Sequence, residues 1–264
     1  MGRRLKSRTG KWRAKCAALA LVAVSLILAA SASAELVGGG NLAVSFSGAI
    51  TPTKLPRSAY VPLSVFLDAS FKTTDGSRLP ELRTVSVRFD RHGRIETKGL
   101  PTCTAGQLKD TLIARARQVC GAAQVGAGNV TAEIAFPEQA PFSATGPLLV
   151  FNAASLHGKP ALLLYVNAAV PIPTTYVTEA TIAQRRSGPI LTVKMPKIDA
   201  GYGRLATFDV TLRPKTNGHS LLSASCPAPG GLAGASFTLA RASYGFSGGP
   251  TVKASLSSHC EVGG

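Results

Sequence analysis

Tryptophan is nearly absent from this chain, with one residue, Trp12, in 264. Acidic residues are scarce as well, 13 Asp and Glu against 29 Lys and Arg, so the formal net charge is +16. Several motifs that announce a chemistry are missing. G-x-S-x-G occurs in letters at Gly245-Phe246-Ser247-Gly248-Gly249, but alternating strand patterns flank it on both sides, so it reads as a hairpin turn and not as the strand-to-helix nucleophile elbow of the α/β-hydrolases; Gly218-His219-Ser220 and Gly234-Ala235-Ser236 begin like one and lack the last glycine. Without H-x-H, H-E-x-x-H or C-x-x-C, a zinc site would need ligands converging from distant segments. No Gly-Lys-Ser/Thr follows Val125-Gly126-Ala127-Gly128, so those glycines are read as a tight turn leading into a strand at Val130. The four histidines, His92, His157, His219 and His259, each stand in or beside a turn or strand end and are read as solvated. The sequence nominates no catalytic residue, no metal ligand and no cofactor.

What is present begins with export. Seven Lys or Arg and no acid precede an apolar run from Cys16 to Ala30, and small residues ending in Ala32-Ser33-Ala34 follow. That order predicts a secretory signal peptide over 1–34, cleaved after Ala34. The run is shorter than the ~20 apolar residues of a spanning helix. Cleavage would leave 22 Lys and Arg against 13 acids, a charge of +9 over 230 residues, with no tryptophan and four cysteines. Pro147 to Val170 is the longest later apolar stretch, and His157-Gly158-Lys159-Pro160 splits it into two buried strands around a turn. The mature chain is therefore expected without a membrane span, secreted or in the cell envelope, outside the cytoplasmic membrane.

A Gly-rich leader over 35–41 precedes a single domain over 42–264. Val61, Leu63, Val65 and Leu67 alternate with Ser64, Asp68 and Ser70, Phe66 being the one exception, and Val85, Val87 and Phe89 alternate with Ser86, Arg88 and Asp90, as strands with one buried face require. Asn217-Gly218, Ser187-Gly188 and Ser247-Gly248-Gly249 each join two such runs as hairpin turns. About ten strands at this spacing predict a mostly β fold, an antiparallel β-sandwich, with one small helical insert. That insert is Thr104 to Cys120, where Leu108, Leu112, Ala116 and Val119 fall at helical spacing and Thr104 with Gln107 forms a capping box.

Four cysteines allow three pairings, which the sequence leaves open. The pairing adopted is Cys103 to Cys120 and Cys226 to Cys260. It makes a demand on the insert: seventeen helical steps of ~1.5 Å would hold Cys103 and Cys120 ~25 Å apart, beyond any disulfide. The expected break lies at Lys109-Asp110, with Asp110 capping a second helix.

Paired carboxylates for glycoside hydrolysis need no local motif, but Glu133 and Glu138 fall on a strand and in a loop, and no tryptophan remains to stack on a sugar. Arg83, Arg88, Arg91, Arg94 and Lys98 form a modest basic cluster, an expected surface for an anionic cell-wall polymer. Aromatic platforms are not interleaved with these charges, which argues against nucleic acid.

Several stretches resemble a family of exported proteins of unknown function from actinobacteria. They include Thr73-Thr74-Asp75-Gly76-Ser77, Arg91-His92-Gly93-Arg94, Gly99-Leu100-Pro101-Thr102-Cys103, Cys120 with Val125-Gly126-Ala127-Gly128, and Pro173-Thr174-Thr175-Tyr176. Ser223-Ala224-Ser225-Cys226-Pro227-Ala228-Pro229, Gly234-Ala235-Ser236-Phe237 and Ala240-Arg241-Ala242-Ser243-Tyr244 complete the set. The resemblance implies the fold and the disulfides and carries over no catalytic residue. The functional expectation is an exported non-catalytic envelope or extracellular protein. Its rivals are a module for anionic wall glycopolymer and a secreted hydrolase whose residues meet only in three dimensions.

Overall fold

The computed structural model describes residues 35–156, 158–216 and 218–263. The signal peptide expected over 1–34, His157 and the Asn217 of the hairpin signal lie outside the described residues. The chain runs through β1 (Glu35–Gly39), β2 (Leu42–Thr51), β3 (Lys54–Leu55), β4 (Val61–Pro62), β5 (Ser64–Thr73), β6 (Leu82–Phe89) and β7 (Gly93–Ile95). Helices α1 (Ala105–Leu108) and α2 (Ile113–Cys120) follow. Then come β8 (Gln124–Ile134), β9 (Phe142–Asn152), β10 (Ala161–Ala168), β11 (Thr174–Ala183) and β12 (Ile190–Lys194). The last four are β13 (Gly203–Leu212), β14 (Leu222–Ala224), β15 (Gly234–Phe246) and β16 (Thr251–Val262).

The fold is mostly β, but it is not a ten-stranded sandwich. Thirteen strands form one sheet in the order β1-β2-β5-β13-β8-β9-β10-β11-β12-β6-β15-β16-β3, while β4, β14 and β7 make a small separate sheet. The large sheet curls into a half-barrel, and β16 comes back against β1 and β2. A contact between the Ser255 amide and the Glu35 carboxylate ties these ends together. One-sided alternation is shared by sandwiches and curled sheets, so it could not separate them.

Close backbone approach produces the curl. A Cβ on Gly128 would lie 2.0 Å from the Asp209 carbonyl oxygen, and one on Gly146 would lie 2.5 Å from that of Asn167. Only glycine admits the neighbouring strand so near. The Gly126–Gly128 pair is thus inside β8 and is not the tight turn expected. Bulges at Leu205/Thr207 and Thr238/Ala240 add further bend. Glu35–Gly39, expected as a leader, pairs along β2 as strand β1 because its alternating side chains have a ladder to join.

Both disulfides form as expected, Cys103 to Cys120 with Cα atoms 5.5 Å apart and Cys226 to Cys260 at 5.8 Å. The helical insert breaks to permit the first. Thr104 and Gln107 close the capping box on α1. Asp110 does not cap α2; it carries the reversal itself, at φ 55°, and α2 starts from Leu112 without a side-chain cap. A chain that must turn through ~180° in four residues uses Asp in the left-handed region, which its short polar side chain tolerates. The two helices cover the outer face of β9 and β10, burying Leu108 and Ala116 against Phe151 and Tyr165. The Tyr165 hydroxyl donates to the Thr111 carbonyl at 2.6 Å, and the Thr175 hydroxyl donates to the same oxygen at 2.8 Å.

Candidate functional site

Inside the curl the two halves are filled differently. Where β2, β5, β15 and β16 face one another, Phe46, Phe71, Tyr244 and Phe246 pack edge to face with ring centroids 5.0 to 6.3 Å apart. Across β8 to β13 the inward side chains are mostly aliphatic, Phe208 and Tyr176 being the rings among them, and they leave a cavity of about 170 Å³. Its wall on β10 is Leu162, Leu164, Val166 and Ala168, successive inward positions spanning about 20 Å at ~3.3 Å per residue. A void this size in an apolar wall stays dry and takes apolar guests; a ~150 Å³ cavity already accommodates benzene.

The cavity opens at one end of the half-barrel. Val170 and the Pro196–Asp199 segment line it there from two loops, and Val170 is 47% exposed. Phe136, Phe142 and Tyr202 gather beside that mouth, with 5.2 Å between the centroids of Phe136 and Tyr202. At the far end Phe89, Leu162 and Leu212 are buried and close the floor.

Polar groups on the described lining are few: Tyr176, Thr178 and Asp199. The Tyr176 hydroxyl donates to Asp199 Oδ1 at 2.8 Å and accepts from the Asp199 amide at 3.1 Å. Burial holds the Tyr176 phenol above its ordinary pKa, and the Asp199 carboxylate adds to that. Asp199 and Ala200 both sit at positive φ, 45° and 54°, a conformation costly for residues with a Cβ. Tyr176, the Arg204 guanidinium on the Gly201 and Gly203 carbonyls, and Arg78 on the Tyr202 carbonyl at 2.6 Å hold this turn against its strain. Burial and the neighbouring Arg78 charge lower the Arg204 pKa, though a guanidinium remains charged.

Sequence reasoning missed this cavity altogether. Its signal was present as the unbroken small aliphatic set on β8 to β10, which reads equally as ordinary core. The residues it did single out lie elsewhere. Arg83 stands near the mouth, 3.0 Å from Glu81. Arg88 sits five residues along β6, toward the opposite end, directly across from Arg241. Arg91, Arg94 and Lys98 lie at that opposite end, where Arg94 covers the Tyr60 ring at 3.6 Å. The five residues therefore do not form one strand face. His92 is held by Asp90 at 2.7 Å within its turn. His259 approaches the Ser236 hydroxyl at 3.4 Å on an exposed stretch of β15 and β16, outside the cavity. Among the described residues no group of His, Cys, Asp or Glu is placed to hold a metal ion, and no helix is long and apolar enough to cross a membrane.

No protein-family model, curated protein or solved structure matches this chain.

Proposed function

We propose that this chain is an exported, non-catalytic binding protein of the envelope or extracellular space, whose cargo is a slender apolar molecule such as a linear alkyl chain. The observation that carries the reading is the ~20 Å aliphatic wall inside the half-barrel, whose described polar groups are Tyr176 and Asp199 toward the mouth and Thr178 level with Leu164. A long, narrow, apolar space selects for an unbranched chain, whose polar end would then meet Tyr176 and Asp199. The described lining is aliphatic and aromatic apart from Thr178 and the Tyr176–Asp199 pair, which supports binding over hydrolysis. Export rests on the first 34 residues and on the two disulfides, and membership of the exported actinobacterial group it resembles belongs to the same proposal.

Binding of a homologous series of linear alcohols to the mature protein tests this. Each added methylene should tighten Kd by about fourfold, the equivalent of ~0.8 kcal/mol, until the chain outgrows the cavity. Affinity independent of chain length would refute the reading, as would full affinity in a Val166→Trp variant whose fold is intact by circular dichroism.

A further inference from the structure

The mature chain's positive charge is not spread over the molecule. Strand register assigns each charged residue to the mouth end, the middle or the far end of the half-barrel. Twelve Lys and Arg lie at the far end against three acids, Asp90, Glu96 and Glu261. That excess of nine equals the net charge of the whole mature chain. At the mouth seven cations meet five acids, and the middle carries a slight negative excess.

The far-end cations come from separate loops. Arg91, Arg94 and Lys98 follow β6, Arg185 and Arg186 form the β11–β12 turn, and Lys159 and Lys215 stand on two short hairpins. All seven are exposed. The two ion pairs among the described residues are Arg83 with Glu81 and His92 with Asp90, so no far-end Lys or Arg is neutralised by a carboxylate. Arg88 and Arg241 even oppose each other across the β6–β15 ladder, an arrangement that disfavours the free protein and that a bridging anion relieves.

We infer that the far end is a docking surface for an extended anionic polymer, a glycopolymer bearing phosphate or carboxylate groups of the kind found in cell walls. Several features favour a polymer. The charges are distributed over four loops, which a chain of repeating anions meets simultaneously and a single small anion cannot. A bilayer is disfavoured because large exposed apolar side chains, which interfacial binding uses, are few at this end, Phe66 beside the Val65–Leu212 pair and Leu232. Nucleic acid is disfavoured because aromatic platforms at this end are few and Arg94 already covers the Tyr60 ring. Docking by this end leaves the cavity mouth facing away from the polymer and open. The inference is independent of the cavity's cargo.

The test uses the mature protein and immobilised poly(glycerol phosphate), with affinity measured across a salt series. Wild type should bind at 0.15 M salt with a steep fall in affinity as salt rises. Replacing Arg91, Arg94, Arg185 and Arg186 by Ser should weaken binding by about tenfold or more and flatten the salt slope. Replacing Lys72, Arg83, Lys194 and Lys253, four cations of the mouth end, should change it by less than about threefold, because the same charge is lost where no surface is built. Equal losses in the two variants would overturn the inference, since net charge alone would then account for binding. Equal affinity for anionic vesicles or for duplex DNA at the same salt would overturn the choice of a polymer of this class. Both variants should retain the wild-type melting profile and alkyl-chain binding, so a failure here is separable from a failure of the cavity reading.

Discussion

The two halves of the half-barrel interior are built from the same β ladder and differ in what projects inward. On one side Phe71 meets Tyr244 at 5.0 Å and Phe246 at 5.9 Å, and nothing is left over. On the other Ala144, Gly146, Val166 and Ala168 stand where rings could stand, and a cavity runs between them. Dispersion and burial reward the first arrangement, because every ring finds partners on all sides. The second forgoes that contact along its whole length. A fold that can fill its interior on one side and leaves it open on the other has a use for the space.

The contrast is broken most directly by truncation. Phe71→Ala should destabilise by about 3 to 5 kcal/mol, since it opens a void in a packed region that has little freedom to collapse. Leu164→Ala, on the cavity wall, should cost about 1 kcal/mol, because a side chain already bordering empty space has fewer contacts to lose. Urea denaturation of the two variants decides it. Equal costs would mean that the cavity collapses in solution.

Insertion should reverse the order. Ala242→Phe in the packed half forces neighbouring rings off their rotamers and should cost about 1 to 3 kcal/mol. Val166→Trp enlarges a side chain that faces the cavity, so its cost should fall within about 0.5 kcal/mol of zero while alkyl-chain binding disappears. The melting temperature and the binding isotherm of each variant are the measurements.

How much of this was legible beforehand follows from what each signal encodes. Val85, Val87 and Phe89 alternate because one face is buried, and that much is local. Whether the sheet closes on a second sheet or curls on itself depends on backbone approach at Gly128 and Gly146, which no hydrophobic pattern reports. The capping box at Thr104 was readable because its donors and acceptors lie three residues apart. Asp110 was misassigned because a cap and a left-handed turn residue share the same preferred side chains. The cavity is a property of missing volume, and Leu164 or Val166 would look the same in a filled core. The far-end charges were visible one by one; their gathering from four loops was not.

A smaller effect separates the halves by pH. Tyr244 is fully buried in the packed half, its hydroxyl finds no partner among the described residues, and burial with the Asp68 charge raises its pKa far above the ordinary tyrosine range. An unfolded tyrosine releases its proton near pH ~10, while folded Tyr244 retains it. Above that pH the folded state therefore binds more protons than the unfolded one, and stability falls as pH rises. Tyr244→Phe should abolish this component, and at pH 7 it should be neutral or stabilising by up to about 1 kcal/mol, because an unsatisfied buried hydroxyl is removed. Denaturant midpoints of wild type and variant between pH 8 and pH 11 would show it; parallel curves would mean that the phenol is solvated.

The smallest change belongs to the mouth of the open half. Tyr176 differs from Tyr244 in having both its donor and acceptor roles filled, at 2.8 Å and 3.1 Å by Asp199. Removing that hydroxyl leaves the ring and the cavity wall in place and releases one restraint on the turn at Asp199 and Ala200, whose positive φ values are held against intrinsic preference. Arg204 and Arg78 still grip the carbonyls on the other side of the turn, so the loop should loosen without unfolding. Tyr176→Phe should accordingly cost about 0.5 to 1 kcal/mol of stability. Its sharper signature is kinetic: entry and release of an alkyl chain should both accelerate while Kd stays nearly constant, because the aliphatic wall that supplies the affinity is untouched. Stopped-flow exchange of a fluorescent alkyl probe measures this. Unchanged rates would place the entrance away from Asp199.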